Sequence, residues 1–366
     1  MLYDRLDGLV LFAERRLGRA TWPLVGALCL GLAALYLSPS LSPIYLGEHY
    51  AEQSRNPFAF SGRSPIGFRI LTPALAWLVG LRGELLIVAN WTIAAAFLAA
   101  VGSHFRRATK KPADALLAVV ILASSTVTLG TVLWGYYCDS TTYLLVLGMW
   151  MTRGRPIFYA LFLLGLLNHE SVAFLVPWFV VLSLAPGRPP VPTLRVQAVG
   201  YVAAFAIYFG FRAWVASRMY VGFDLAYYLA PLREDPLSVW RLTSGTQAIG
   251  ALSVFKALWL VPAVAAVLAV RRRLWGSLAS WVVLIACVWA QLLFAYDTTR
   301  VFTLAFPLMI VALLELYRTE DSGFRRWLPL LVFSNLAIHP FFAVKQIVWV
   351  PDSLPARSLA WLVNLF

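Results

Sequence analysis

Charge is scarce in this chain. Of 366 residues, 13% are Asp, Glu, Lys or Arg against 61% hydrophobic, and the mean hydropathy of +0.75 excludes a water-soluble globule. Cysteine is scarcer still: Cys29, Cys138 and Cys287 lie in or beside apolar stretches without CxxC spacing, so neither a disulfide framework nor a thiolate metal site is indicated. No internal repeat is evident, and no stretch is polar enough to fold as a soluble catalytic domain. The first apolar segment lacks a small-residue cleavage site and is expected to stay as a span. Acid is short relative to base, 17 residues against 30, for a net charge of +13. The cations sit in clusters between apolar runs, as in cytoplasmic loops, and no basic patch is interleaved with exposed aromatics. Nucleic acid is therefore not an expected partner.

What is abundant is membrane-like sequence, and one stretch of it is interrupted. FLLGLLNHESVAF, Phe162 to Phe174, places Asn168, His169, Glu170 and Ser171 inside an apolar run of about thirty residues. A carboxylate and an imidazole inside hydrocarbon cost several kcal/mol unless they face protein or a wet cavity, which makes them candidates for function.

Tracing the chain by its charged loops gives a topology. Residues 1–20 form a cytoplasmic amphipathic segment with Arg15, Arg16 and Arg19 before a first span, Trp22 to Leu37. A first external loop over 39–68 follows, then an interfacial or re-entrant piece, Ile66 to Leu81, and a span ending at the basic HFRRATKK. Ala115 to Leu133 crosses outward to WGYYCDSTT, and the return reaches Arg153 to Pro156. Between that loop and PGRPPVPTLR each limb has only about 12 to 14 residues against about 20 for a complete span, so the NHES turn stops short of the outer surface. Val196 to Trp214 goes out to a second external loop over 215–246, and Gln247 to Val270 returns to Arg271–Arg273. Trp275 to Phe294 leads out to YDTTR, the next span ends at YRTEDSGFRRW, and Leu328 to Val350 carries the chain outward. The fold class this predicts is all-α: one polytopic membrane domain over 1–366, with about nine to eleven transmembrane or re-entrant helices.

In this topology acid and base are sorted by face. Glu48, Glu52, Asp139, Glu170, Asp224, Glu234, Asp235 and Asp297 all fall outside, although Asp and Glu contribute little to orientation. An outward cavity lined by Glu48, Asp139, Glu170 and Asp297, with Arg69 and Arg300 as cations, would take a ligand carrying both an anionic head and hydroxyls.

These residues carry a resemblance. An acidic residue in a long first external loop (GEHYAEQSRNPF, then PIGFRILTPALA), an Asp after a later outward crossing (YYCDSTT), the NHES segment and an Asp-x-x-Arg followed by Pro (DTTRVFTLAFP) make the chain similar to bacterial integral-membrane glycosyltransferases of the GT-C superfamily. The resemblance implies transfer of a sugar from a polyprenyl-phosphate-linked donor to an acceptor glycan or lipid. It also implies a multi-pass protein of the bacterial inner membrane with its site facing outward, in contact with membrane lipids. Glu48 stands where the superfamily more often has Asp, and no stretch of these 366 residues is expected to form the large soluble C-terminal domain of some members.

Such chemistry needs a carboxylate to take the acceptor hydroxyl's proton and cations to meet the leaving phosphate. Glu48, Glu170 and Asp139 are the catalytic candidates, with Glu48 the expected base at the bilayer rim. His49, Tyr50, Arg63, Arg69, Tyr137, Asn168, His169, Asp297 and Arg300 are the substrate-binding candidates, the arginines because guanidinium suits phosphate. Each has a structural counterpart. Asp139 suits a helix N-cap, Asp297 and Arg300 suit a local ion bridge, Glu170 suits a buried pair, and interfacial tyrosines form belts without any function. His49 and His169 with nearby carboxylates leave a divalent metal open without defining a site, so no metal ligand is assigned. Two other readings of the chain are a transporter or flippase of a lipid-linked or anionic substrate and a non-catalytic envelope-complex subunit.

Overall fold

The structure, a computed structural model, describes residues 2–43, 45–59, 66–153, 155–184, 194–218, 235, 237–295, 297–318, 323–344 and 346–363. Among them, six stretches are long and apolar enough to cross a membrane: Tyr3–Leu37, Gly83–Thr109, Leu194–Ala216, Ser238–Arg271, Trp275–Leu293 and Thr298–Arg318. A seventh arises if Pro112–Ala123 and Thr126–Leu133, bent by 50°, count as one broken span. Two further apolar helices among the described residues, Ile157–Asn168 and Glu170–Leu184, are shorter.

Each interruption has a local cause. Within Tyr3–Leu37, Gly18 adopts the left-handed φ of +53° and separates α1 (Leu2–Leu17) from α2 (Thr21–Leu37). After α3 (Leu46–Arg55) and α4 (Leu71–Leu78) comes the long α5 (Leu86–Thr109). At eight residues α4 reaches only about 12 Å, too short to cross. Between α6 (Pro112–Ala123) and α7 (Thr126–Leu133), the hydroxyls of Ser124 and Ser125 donate back to Ile121 and Leu122, and Ser125 turns extended. The Ser124 carbonyl is satisfied from outside the break, by Asn335 Nδ2 at 2.7 Å, as a break inside hydrocarbon requires.

The hairpin around NHES is short on both limbs. α8 (Asp139–Thr152) is followed by α9 (Ile157–Asn168), a 3-10 stretch Glu170–Leu175 and α10 (Val176–Leu184). α11 (Leu194–Ala216) runs further than the expected second external loop allows. α12 (Ser238–Phe255) also begins earlier, so part of 215–246 is helix. Between α12 and α13 (Leu260–Arg271), Lys256 takes a φ of +44° and its buried ammonium donates to the Ile338 carbonyl at 3.0 Å.

The C-terminal third departs most from expectation. α14 (Trp275–Ala290), α15 (Thr298–Thr303) and α16 (Phe306–Arg318) lead to α17 (Leu328–Ala337), which stops after ten residues. Pro340 lies between it and an antiparallel hairpin, β1 (Phe341–Ala343) with β2 (Ile347–Trp349), so 328–350 is not one outward span. α18 (Leu354–Val363) closes the chain against α2, where Arg357 donates to the Leu35 carbonyl.

α2 and α5 pack backbone to backbone through glycine. A methyl at Gly26 would stand 2.5 Å from the Ala95 carbonyl oxygen, and one at Gly102 would enter the Trp22 ring. Gly26→Ala is expected to cost about 2 kcal/mol, because the obstruction is backbone that no rotamer change relieves. Denaturant titration in micelles measures it, and an unchanged midpoint would refute the close approach.

The cationic helix ends meet at one end of the bundle. There Glu14 of α1 binds Arg106 of α5 at 2.9 Å, Asp7 accepts the Ala113 N–H at 2.7 Å, Arg325 pairs with Asp114, and Arg272 approaches Glu315 at 3.6 Å. The other end holds α3, α4, the start of α8, the tip of the α9–α10 hairpin and the start of α15.

Candidate functional site

Asn168, the last residue of α9, is wholly buried and holds three helices together. Its Nδ2 donates to the Cys138 carbonyl and to Thr142 Oγ1, both at 2.8 Å, and its Oδ1 accepts the Thr72 hydroxyl of α4 at 2.5 Å. Thr72 in turn meets Thr141 at 2.6 Å. A carbonyl can only accept, so the Cys138 contact fixes the amide's orientation. With these bonds made, the Asn168 amide, expected as a substrate contact, is wholly buried and bonded to Cys138, Thr142 and Thr72.

Two ion pairs hang from this hub. Glu170, two residues past Asn168, receives Arg69 Nε at 3.0 Å and Arg69 Nη2 at 2.5 Å, while Arg69 Nη1 donates to the Tyr50 hydroxyl at 2.8 Å. Asp139, next to Cys138, receives Arg300 Nε at 2.8 Å and Nη2 at 2.9 Å. Cys138 occupies the N-cap position of α8 and makes no side-chain cap, so Asp139 serves the ion pair rather than the helix end. Arg300 also lies 4.3 Å from the Tyr137 ring, and the Tyr50 and Tyr137 rings stand 6.0 Å apart, which links the halves. His169 is within electrostatic reach of both pairs, and its Nδ1 accepts the Ser171 N–H, which leaves the proton of the neutral ring on Nε2.

Asp297 is bound more loosely than the other two carboxylates. It caps α15 by accepting the Arg300 N–H at 3.1 Å, and its other oxygen is 3.6 Å from Arg300 Nη1. The local-bridge expectation is thus met, with a carboxylate still one-quarter exposed at 26%. Two guanidiniums, Arg69 and Arg300, pair with three carboxylates, Glu170, Asp139 and Asp297. Desolvation pushes the Asp297 carboxyl up to about 6, against a smaller opposing pull from Arg300. Burial likewise pushes the Tyr50 phenol up, so it stays protonated beside Arg69.

The hairpin positions the Arg300 half. Thr298 Oγ1 donates to the Ala343 carbonyl at 2.6 Å and the Ala343 N–H donates to Thr299 Oγ1 at 2.7 Å, while Phe342 packs 4.2 Å from Trp134.

Glu48 and His49 do not join. α3 turns Gly47, Tyr50, Ala51 and Ser54 inward, a helical stripe, and Glu48 lies on the exposed face about 200° from Tyr50. The shared cavity expected to contain Glu48 therefore loses that member, and no bond among the described residues ties His49 to the cluster. Arg63 lies outside the described residues. Among those described, no group of three or more His, Cys, Asp or Glu side chains is arranged to hold a metal.

Sequence reasoning missed the threonines and two residues of α11. Arg212 donates to the Tyr208 hydroxyl at 3.2 Å and stacks 4.3 Å from Phe68, and Tyr208 feels the charges of Glu170 and Arg69. The STT following Asp139 and the Thr in RILTPALA were the available signals, since hydroxyls on apolar helices seek partners across helices.

Fold and site together define an α-helical polytopic membrane protein with a buried ionic cluster at the end of the bundle opposite its basic helix termini. No family model matches the chain, no curated protein matches its sequence and no solved structure matches its fold.

Proposed function

We propose that the protein is a membrane glycosyltransferase that moves a sugar from a polyprenyl-phosphate-linked donor to a hydroxyl of a glycan or lipid acceptor, at the membrane face opposite its basic loops. The observation that carries this reading is the combination, in one buried cluster, of two oriented guanidiniums and a loosely held carboxylate. Arg69 and Arg300 are fixed by bidentate carboxylates, and a guanidinium has five N–H groups, so each keeps donors for a phosphate. Asp297 is the carboxylate least committed to arginine.

In the proposed reaction the acceptor oxygen attacks the anomeric carbon, the bond from that carbon to the phosphate oxygen breaks, and the phosphate leaves with the electron pair. The hydroxyl proton passes to Asp297, which replaces Glu48 as the proposed base. Arg69 and Arg300 meet the charge that grows on the leaving phosphate. A base titrating near 6 must be deprotonated to act, so the rate should rise with pH through about 6 and then level.

Purified protein incubated with a panel of radiolabelled polyprenyl mono- and diphosphate sugars tests this directly. Wild type should transfer label, Asp297→Asn should lose about a hundredfold while keeping its helix cap, and Glu48→Gln should stay near wild type. Label carried across vesicles without any transfer would favour transport, and undiminished transfer by Asp297→Asn would remove the assigned base.

A further inference from the structure

The end of the molecule away from the cluster carries a surface that the proposed reaction does not use. α1 divides its charges by face. Its acids Asp7 and Glu14 turn into the bundle, to the Ala113 N–H and to Arg106, and Val10 between them is buried. Tyr3 completes this inner face by donating to the Arg325 carbonyl. The outer face presents Leu9 at 63% and Phe12 at 59% exposure, beside Arg5, Arg15, Arg16 and, just past the helix, Arg19. No hydrogen bond or ion pair among the described residues engages any of these four arginines, and Arg16 lies 5.7 Å from the Phe12 ring. Arg107, Lys110, Lys111 and Arg326 add exposed cations at the same end.

The carboxylates here are consumed internally: Asp114 by Arg325, Glu315 by Arg272 and Arg318, Glu14 by Arg106. Apart from Asp4 in the first turn of α1, the described exposed charge at this end is positive. Free cations alternating with exposed Leu and Phe on a helix anchored across the bundle end complement a surface that is both anionic and apolar. A soluble polyanion would complement only the arginines.

We propose that α1 is a docking surface for anionic phospholipid, its apolar residues entering the headgroup boundary and Arg15, Arg16 and Arg19 binding lipid phosphates. The lipid clamps α1 against α5 and α6, so an anionic bilayer stabilises the whole protein. This proposal does not depend on the reaction at the other end.

The test uses the full chain in nanodiscs of phosphatidylcholine alone or with about 30% phosphatidylglycerol, read by retained lipid in native mass spectrometry and by thermal unfolding. Wild type should retain phosphatidylglycerol over phosphatidylcholine and unfold at higher temperature in the mixed discs. R15Q/R16Q/R19Q should lower that preference by at least about tenfold and remove the thermal difference. Leu9→Ser with Phe12→Ser should weaken retention of both lipids while keeping the preference. Because all five side chains are exposed, helicity should be unchanged, and circular dichroism verifies it. Equal retention of the two lipids by wild type, an unaltered preference in the triple arginine variant, or displacement of lipid from the wild type by a short soluble polyphosphate would each overturn the assignment.

Discussion

Replacing Arg300 by methionine should lower the unfolding free energy by about 3–5 kcal/mol, the range for breaking a buried pair from one side. The change leaves Asp139, only 16% exposed, without its bidentate partner and Asp297 without its nearest cation, and it removes the stacking on Tyr137. The paired variant Arg300→Met with Asp139→Asn should recover most of the loss, since a neutral amide need not find a counter-charge. An exposed pair supplies the contrast. Arg55 and Glu52 meet at 3.1 Å but are 58% and 66% exposed, so Arg55→Met should change stability by less than about 0.5 kcal/mol. Reversible unfolding of the three variants in mixed micelles measures all of these terms. Equal effects at Arg55 and Arg300, or a double variant no better than the single, would show that the Arg300 pair is not buried as described.

The charged members of this cluster were legible because each interrupts an apolar run, and hydrocarbon tolerates such residues only with a partner. Glu170 and Arg69 were therefore found, but their pairing was not, since 101 positions separate them and nothing in the sequence sets which helices meet. Asp297 and Arg300 were legible as a pair from their spacing of three. Glu48 was misplaced for a different reason. Reading 39–68 as loop discarded the helical phase of Gly47, Tyr50, Ala51 and Ser54, the very pattern that turns Glu48 outward. The stretch 328–350 reads as membrane span because strands and buried helices are both apolar. Pro340 and the shortness of α17 become decisive only when the hairpin is seen to grip Thr298 and Thr299.

Asn168→Leu should cost about 3 kcal/mol and disable both halves of the cluster together. Leucine fills nearly the same space, so the loss is one of hydrogen bonds: the Cys138 carbonyl and the Thr142 hydroxyl lose their donor, and Thr72 keeps only its contact with Thr141. Thr142→Val removes a single one of these bonds and should cost only about 1 kcal/mol. Asn168→Asp keeps the shape but turns an oxygen toward the Cys138 carbonyl, so it should be at least as damaging as leucine if hydrogen bonding rather than packing is what matters. In the double-mutant cycle between Asn168→Leu and Thr142→Val, the two losses should fall short of additive by about 1 kcal/mol, because the shared bond is counted twice. Full additivity would mean that the two side chains act independently. Because Asp139 follows Cys138 and Glu170 lies two residues beyond Asn168, loosening this amide displaces both carboxylates, and with them the guanidiniums they orient. The proposed sugar transfer should therefore fall further in Asn168→Leu than its stability loss accounts for, at temperatures where the variant remains folded.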